Sequence, residues 1–160
     1  MVFSMKEEKQ VKKSVPVGII LVLIYVALGF LGHLQSFQNP AIQLGPKVFM
    51  GVVGVLYNLI GVVALGFVFY GILKRKRWGK KLGIIWYVLV IVLGIVNVIF
   101  FIADPSIYDE LYTSLVEEEL VGFMTSFMRF FVPFTAGIGI ILSLVIVIYL
   151  IKKQGYFENG

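Results

Sequence analysis

The stretch Lys74-Arg75-Lys76-Arg77-Trp78-Gly79-Lys80-Lys81 decides the fold of this chain. It lies near the middle of a very apolar sequence, and six of its eight residues carry a positive charge. Short basic loops stay on the cytoplasmic side of a membrane because lysine and arginine near a helix end resist translocation. We therefore expect this loop to be cytoplasmic, to orient every other segment and to contact anionic lipids at the cytoplasmic face.

The composition is that of an integral membrane protein. Of the 160 residues, 59% are hydrophobic and 14% are charged, and the mean hydropathy is +0.97. Soluble domains carry about 25% charged residues. The net charge of +5 comes from segments that flank apolar runs, so it predicts topology and lipid contact and no nucleic-acid partner. The absence of cysteine excludes disulfides and thiolate metal sites.

Four apolar runs are long enough to span a bilayer as helices. A hydrocarbon core of about 30 Å needs roughly 20 helical residues, and the runs cover 15–37, 48–73, 82–103 and 130–151. They lack the alternation of polar and apolar residues that barrel strands show. The sequence therefore predicts an all-α fold, in which a single membrane domain over 1–160 forms a four-helix bundle.

The distribution of charge predicts that both termini are cytoplasmic. The N-terminal lysines, the central basic loop and the pair Lys152 and Lys153 lie on one side of the predicted spans. The basic residues on the other side are Lys47 and Arg129 alone. We therefore expect a multi-pass protein of the plasma membrane. The first run is long and no small-x-small cleavage site follows it, so we expect an uncleaved first span. We expect Trp78 and Trp86 at the inner ends of their spans, where aromatic rings meet the interface.

An extra helix is predicted between the third and fourth runs. Asp104-Pro105 is a typical helix start, and over about 105–120 the apolar and acidic residues fall on opposite helix faces. We expect an amphipathic helix that lies on the outer surface of the membrane or caps the bundle. The pattern leaves open whether its apolar face is an anchor in lipid or a docking surface for a partner.

Small residues form one row at helical spacing on each run. In lipid, helices associate where small residues let their backbones approach. We predict helix packing at Gly18, Gly29, Gly51, Gly54, Gly61, Gly83, Gly94, Gly139 and Ser143.

Polar residues inside the runs give the candidate site. Each of them lies about 15 or 16 positions from the cytoplasmic end of its run, which is about 23 Å at helical rise. We predict that they share one polar layer: His33, Asn58, Asn97 and Thr135. Asn58 and Asn97 are candidates to bond each other, an interaction of about 0.6 to 2 kcal/mol. The layer is either structural or a binding site for a solute.

Other chemistries lack their residues. The middle of each run contains no aspartate, glutamate, lysine or arginine, which argues against a proton-driven antiporter. A single histidine without cysteine cannot build a closed zinc site. The sequence shows no phosphate loop, nucleophile elbow or paired catalytic carboxylates. We expect no catalytic residues, cofactor or metal.

Three short motifs resemble those of a known group of proteins. They are Pro16-x-Gly18-Ile19, the stretch from Gly66 to Lys81 with its pattern apolar-Tyr-Gly-x-Leu-basic-x-basic-x-Trp, and Tyr149-Leu150 followed by basic residues and Tyr156-Phe157. Together they resemble the uncharacterised four-span membrane proteins of archaea and some bacteria. In that group the loop often reads Trp-Lys-Gly-Lys-x-Trp, and here Leu73 to Arg75 replace the first tryptophan and the glycine. The resemblance covers most of the spans and implies a fold and no activity.

Two functions fit these observations. The first is a structural or accessory subunit that associates with itself or with a larger membrane complex, through the small-residue rows or the outer helix. The second is a carrier or channel for a small neutral or lipid-like solute, which would bind at the polar layer. The two differ in whether that layer faces a cavity or is closed by packing.

Overall fold

The computed structural model describes residues 15–104 and 118–157. Their elements, in chain order, are α1 Val17–Gln35, β1 Ala41–Leu44, β2 Lys47–Met50, α2 Val52–Leu73, α3 Arg77–Ala103, α4 Glu118–Lys152 and α5 Gln154–Phe157. Four of the described helices are long and apolar enough to cross a membrane, which confirms that the chain has four candidate spans. The predicted amphipathic helix over 105–120 lies outside the described residues except for 118–120, which begin α4.

Three helices begin well away from the start of their predicted spans. α4 begins at Glu118, ahead of the span predicted from residue 130. α2 begins at Val52, and not near residue 48, because 47–50 pair as a strand. α3 begins at Arg77, within the stretch predicted as a loop. Long basic side chains can reach water from the first turns of a helix, so their charge does not mark where the helix starts. The basic residues therefore predicted where the connection between the second and third spans lies, but not how short it is.

The connection between α2 and α3 is a short Schellman turn. The Lys76 N–H donates to the carbonyl of Gly71 at 2.8 Å, and the Arg75 N–H donates to the carbonyl of Ile72 at 3.1 Å. Arg75 has a φ of +56°, the left-handed conformation that this motif usually gives to glycine. Beyond the turn, α2 and α3 approach closely, because a Cβ on Gly71 would collide with the backbone of Gly79.

A β-hairpin connects α1 to α2, in the segment predicted as a loop with turn-forming dipeptides. β1 and β2 pair antiparallel, with Leu44 opposite Lys47, so the turn has two central residues, Gly45 and Pro46. Gly45 has a φ of +65° in the first central position, as in a type II′ turn. The hairpin was missed because two strands of four residues are too short to show a period.

The four long helices pack in chain order, α1 on α2, α2 on α3 and α3 on α4. We call the end with the α2–α3 turn the basic end and the opposite end the hairpin end. The core contains these buried residues: Ile19, Val22, Val26, Leu65, Val68, Ile72, Tyr87, Ile146, Val147, Leu150 and Phe157. The outward faces carry large apolar side chains, such as Leu28 and Phe67, which are 60% and 56% exposed. Such a surface suits lipid and not water.

Candidate functional site

His33 and Asn58 form a hydrogen-bonded pair near the hairpin end. His33 Nδ1 lies 3.0 Å from Asn58 Oδ1, and Asn58 Nδ2 donates to the backbone oxygen of Ser36 at 3.3 Å. Because the amide nitrogen donates to Ser36, the amide oxygen is the acceptor and the imidazole donates through Nδ1. Asn58 is only 2% exposed, and both polar atoms of its side chain have partners. The pair joins α1 to α2.

The His33 ring lies among aromatic side chains. Its centroid is 5.3 Å from that of Tyr57 and 6.0 Å from that of Trp86, and both contacts are edge-to-face, a favoured arrangement. Gly61 makes room for the ring, since a Cβ there would collide with the imidazole. Trp86 was predicted at the inner end of its span. It lies about two and a half turns after the start of α3 at Arg77.

Asn97 attaches the hairpin to α3. Its Oδ1 accepts from the backbone N–H of Gly45 at 3.0 Å, and its Nδ2 donates to the backbone oxygen of Gln43 at 2.9 Å. Gln43, which is 8% exposed, donates through Nε2 to the backbone oxygens of Gly45 at 3.0 Å and Asn97 at 3.3 Å. These bonds pair backbone groups of the hairpin turn, groups that are costly to leave unpaired away from water.

The polar residues therefore form two clusters, and the predicted bond between Asn58 and Asn97 is replaced by these partners. Asn58 lies about 15 positions from the basic end of α2 and Asn97 about 20 positions from the start of α3, a difference of about 7 Å at helical rise. The prediction of a single layer counted α3 from residue 82, whereas the helix begins at Arg77. Counted from Arg77, Asn97 lies nearer the hairpin end than Asn58 does.

Thr135, the fourth predicted member, bonds within its own helix. Its Oγ1 donates to the backbone oxygens of Phe131 at 2.8 Å and Val132 at 3.1 Å. Thr135 is exposed and follows Pro133, whose ring removes one N–H from the α4 ladder. A threonine hydroxyl commonly bonds a carbonyl one turn back. Thr135 thus belongs to neither the His33 cluster nor the Asn97 cluster.

The predicted packing residues divide by what surrounds them. Six have atoms of another element within 4 Å of the place where a Cβ would lie: Gly18, Gly29, Gly54, Gly61, Gly83 and Gly94. Ser143 is fully buried. At Gly51 and Gly139 nothing lies within 4 Å. Gly51 instead supplies a φ of +66° immediately before α2. Most of the small-residue rows are thus occupied by this chain's own elements.

The six basic residues of the central stretch fall into three sets. Arg77, Lys80 and Lys81 line a cleft of about 250 Å³ at the basic end, together with Gln154 and Phe157. Arg75 instead lies over the ring of Tyr156, 5.0 Å from its centroid. Lys74 and Lys76, the remaining two, are exposed. The basic run is therefore not one uniform patch.

Sequence reasoning missed the partners of the site residues. Ser36 and Gln43 contribute through their backbone oxygens, for which no side-chain pattern gives a signal. Gln154 and Phe157 come from α5, which folds back so that Phe157 is 1% exposed in the core. An aromatic pair such as Tyr156-Phe157 after charged and polar residues is a usable signal for a segment that returns to the core.

The chemistry of the two polar clusters is hydrogen bonding between amides, one imidazole and backbone groups. Within 15–104 and 118–157, no group of three or more His, Cys, Asp or Glu residues is placed to hold a metal ion. Comparison with protein families, with curated proteins and with solved structures gives no match. Function is therefore inferred from the geometry of this chain alone.

Proposed function

We propose that this chain is a structural or accessory membrane subunit, which associates with itself or with a larger membrane complex. One observation carries the proposal: the side-chain amides of Asn58 and Asn97 bond to this chain's own elements. A solute site needs polar groups that are free to bind the solute, because displacing an internal partner leaves that partner unpaired. Here the amides hold α1, α2, α3 and the hairpin together.

The carrier alternative would use the same residues differently. It requires His33, Asn58, Asn97 and Thr135 to face a shared space. Asn58 is 2% exposed, and Thr135 bonds the carbonyls of its own helix. Closed clusters of this kind are the usual result of cross-helix hydrogen bonding in membrane bundles. The geometry therefore favours the subunit over the carrier.

The proposed orientation places the basic end in the cytoplasm and the hairpin outside, in the plasma membrane. Lys74, Lys76 and the cations of the cleft lie at the basic end, together with Lys152 and Lys153. The hairpin carries Lys47. Cytoplasmic segments are enriched in lysine and arginine, so both termini would be cytoplasmic and the basic end would contact anionic lipids.

The amphipathic helix over 105–120 and the likeness to uncharacterised four-span proteins remain part of the proposal. The acidic and apolar faces read from the sequence support an interfacial helix on the hairpin side. Changing Leu111 and Leu115 to glutamate would place charge on its apolar face. We expect these changes to increase protease cleavage of the segment in membranes, and unchanged cleavage would contradict the amphipathic helix.

Native mass spectrometry of the protein, extracted gently from its own membranes, tests the proposed role. We expect a discrete homo-oligomer or a complex with a second polypeptide at a fixed ratio. Thr135→Val, which removes only bonds within α4, is the matched control and should leave the assembly unchanged. A lone monomer that carries a small solute, and loses it in a folded Asn58→Leu variant, would overturn the proposal in favour of the carrier.

A further inference from the structure

We infer that the cleft at the basic end binds a phosphate group, carried by an anionic phospholipid or by a soluble phosphate. The cleft has a volume of about 250 Å³ and is lined by Arg77, Lys80, Lys81, Gln154 and Phe157. Sites that enclose drug-sized ligands measure roughly 300 to 1,000 Å³. The cleft thus suits a headgroup or a single phosphate group. The inference depends on the proposed function in one respect: a lipid can supply the phosphate only if the chain is embedded in a membrane.

The lining cations share one face of α3. Lys80 and Lys81 lie three and four positions after Arg77, so both side chains are neighbours of Arg77 on the helix surface. An arginine fork matches the geometry of phosphate oxygens, and the lysines add point charges. Gln154 brings an amide donor from α5, on the other wall of the cleft. A phosphate between these walls would be bound by both elements.

Within 15–104 and 118–157, the acidic residues lie away from this cleft. The first turn of α3 contains no acidic residue. Asp104, Glu118 and Glu119, the acidic residues within 15–104 and 118–157, belong to the opposite ends of their helices. Cations near a helix N-terminus also meet the positive end of the helix dipole. An anion in the cleft would relieve both repulsions.

This cleft differs from an ordinary basic surface because part of its lining is apolar. Phe157 is 1% exposed, packs in the core and fixes α5 against the bundle. Because α5 follows α4 after Lys153 alone, the cleft lies at the end of the spans. Lipid headgroups lie at that depth, and basic pockets at the ends of membrane helices bind them. Lys74 and Lys76 are exposed and do not line the cleft.

Those two lysines provide a control, because replacing them removes the same charge at positions outside the cleft. The test measures binding of phosphatidylglycerol to the purified full-length protein by native mass spectrometry, with phosphatidylcholine of the same chain length as reference. We expect Lys80→Gln with Lys81→Gln to weaken phosphatidylglycerol binding by about 25-fold, since each cation contributes about five-fold. Lys74→Gln with Lys76→Gln removes the same charge from exposed side chains outside the cleft, where solvent and salt screen the attraction, and should weaken binding by less than about 3-fold.

A second variant tests the α5 wall without touching a cation. Gln154→Glu puts a carboxylate at an exposed position of the cleft and changes the net charge by one, as Lys74→Gln does. We expect Gln154→Glu to weaken binding by about ten-fold and Lys74→Gln to change it little. Equal losses in the cleft and control variants, or no preference for phosphatidylglycerol in the unmodified protein, would overturn the inference.

Soluble competitors distinguish the two sources of phosphate. Displacement of the lipid by millimolar inorganic phosphate or glycerol 3-phosphate would support the cleft and assign a soluble ligand. Persistence of the lipid against both, with the losses expected above, would support the cleft and assign a membrane lipid. Failure of the subunit proposal would appear separately, as an absence of assembly in preparations that still retain the lipid.

Discussion

The imidazole of His33 on α1 donates to the amide oxygen of Asn58 on α2, with Nδ1 and Oδ1 3.0 Å apart. The amide nitrogen of Asn58 continues the network to the backbone oxygen of Ser36, immediately after α1. Removing any one of these groups leaves the next without a hydrogen-bond partner. A buried polar atom without a partner costs the full free energy of its desolvation. The chain's only histidine therefore acts together with an asparagine to join two helices.

Replacing Asn58 with alanine should destabilise the bundle by about 1 to 3 kcal/mol, because His33 and the Ser36 carbonyl lose a buried partner. Thermal unfolding in detergent measures the change. A double-mutant cycle with His33→Ala isolates the bond, for which we expect a coupling of about 0.6 to 1.7 kcal/mol. Thr135→Val serves as the control. Zero coupling would mean that the two side chains contribute independently.

Replacing Asn97 with alanine should loosen the hairpin while the helices remain folded. The Gly45 N–H and the Gln43 carbonyl both lose their bond to the Asn97 side chain and, of the hydrogen bonds between Asn97 and the hairpin, that from Gln43 Nε2 to the Asn97 backbone oxygen remains. Hydrogen exchange followed by mass spectrometry should show faster exchange over 41–50 and unchanged exchange in the middle of α2. Gln38→Ala, at an exposed position before the hairpin, is the control. Equal protection in both variants would argue against Asn97 as the attachment.

Sequence alone predicted the spans because length and apolarity decide what can cross a bilayer. It also identified Asn58 and Asn97, since amides inside apolar runs are costly unless they are bonded. It did not predict their partners, because the partners are largely backbone groups and because charge at Arg77 concealed the true start of α3. The hairpin was marked only by its Gly45-Pro46 turn, since its strands are too short to show a period.

Alanine at Gly71 and at Gly139 should have opposite effects. A Cβ at Gly71 would collide with the backbone of Gly79, and backbone cannot move as a side-chain end can. We expect a loss of about 1 to 3 kcal/mol from overpacking. Nothing lies within 4 Å at Gly139, so alanine there should gain up to about 1 kcal/mol from helix propensity. Thermal unfolding of the two variants in one detergent compares them, and a tolerated Gly71→Ala would contradict the close approach.

Substitutions at Arg75 distinguish the cost of its backbone conformation from the contribution of its side-chain contact. Its φ of +56° favours glycine, while its guanidinium lies 5.0 Å from the centroid of Tyr156. Arg75→Ala and Arg75→Gly both remove the side-chain contact, but only alanine keeps the penalty of the left-handed conformation. The glycine variant should therefore be more stable than the alanine variant by about 1 to 2 kcal/mol. Unfolding of this matched pair gives the difference, and equal stabilities would mean that the turn relaxes.

The absence of cysteine makes the proposed orientation directly measurable, because a single introduced cysteine has no background. Pro46→Cys places a thiol at the exposed tip of the hairpin, and Lys74→Cys and Gln154→Cys place one at the basic end. With a membrane-impermeant maleimide, we expect Pro46→Cys to react in intact cells and the other two to react only after the membrane is permeabilised. Ser143→Cys, fully buried in α4, is the control for non-specific access. Labelling of Lys74→Cys in intact cells, with Pro46→Cys protected, would reverse the orientation and place the phosphate cleft outside.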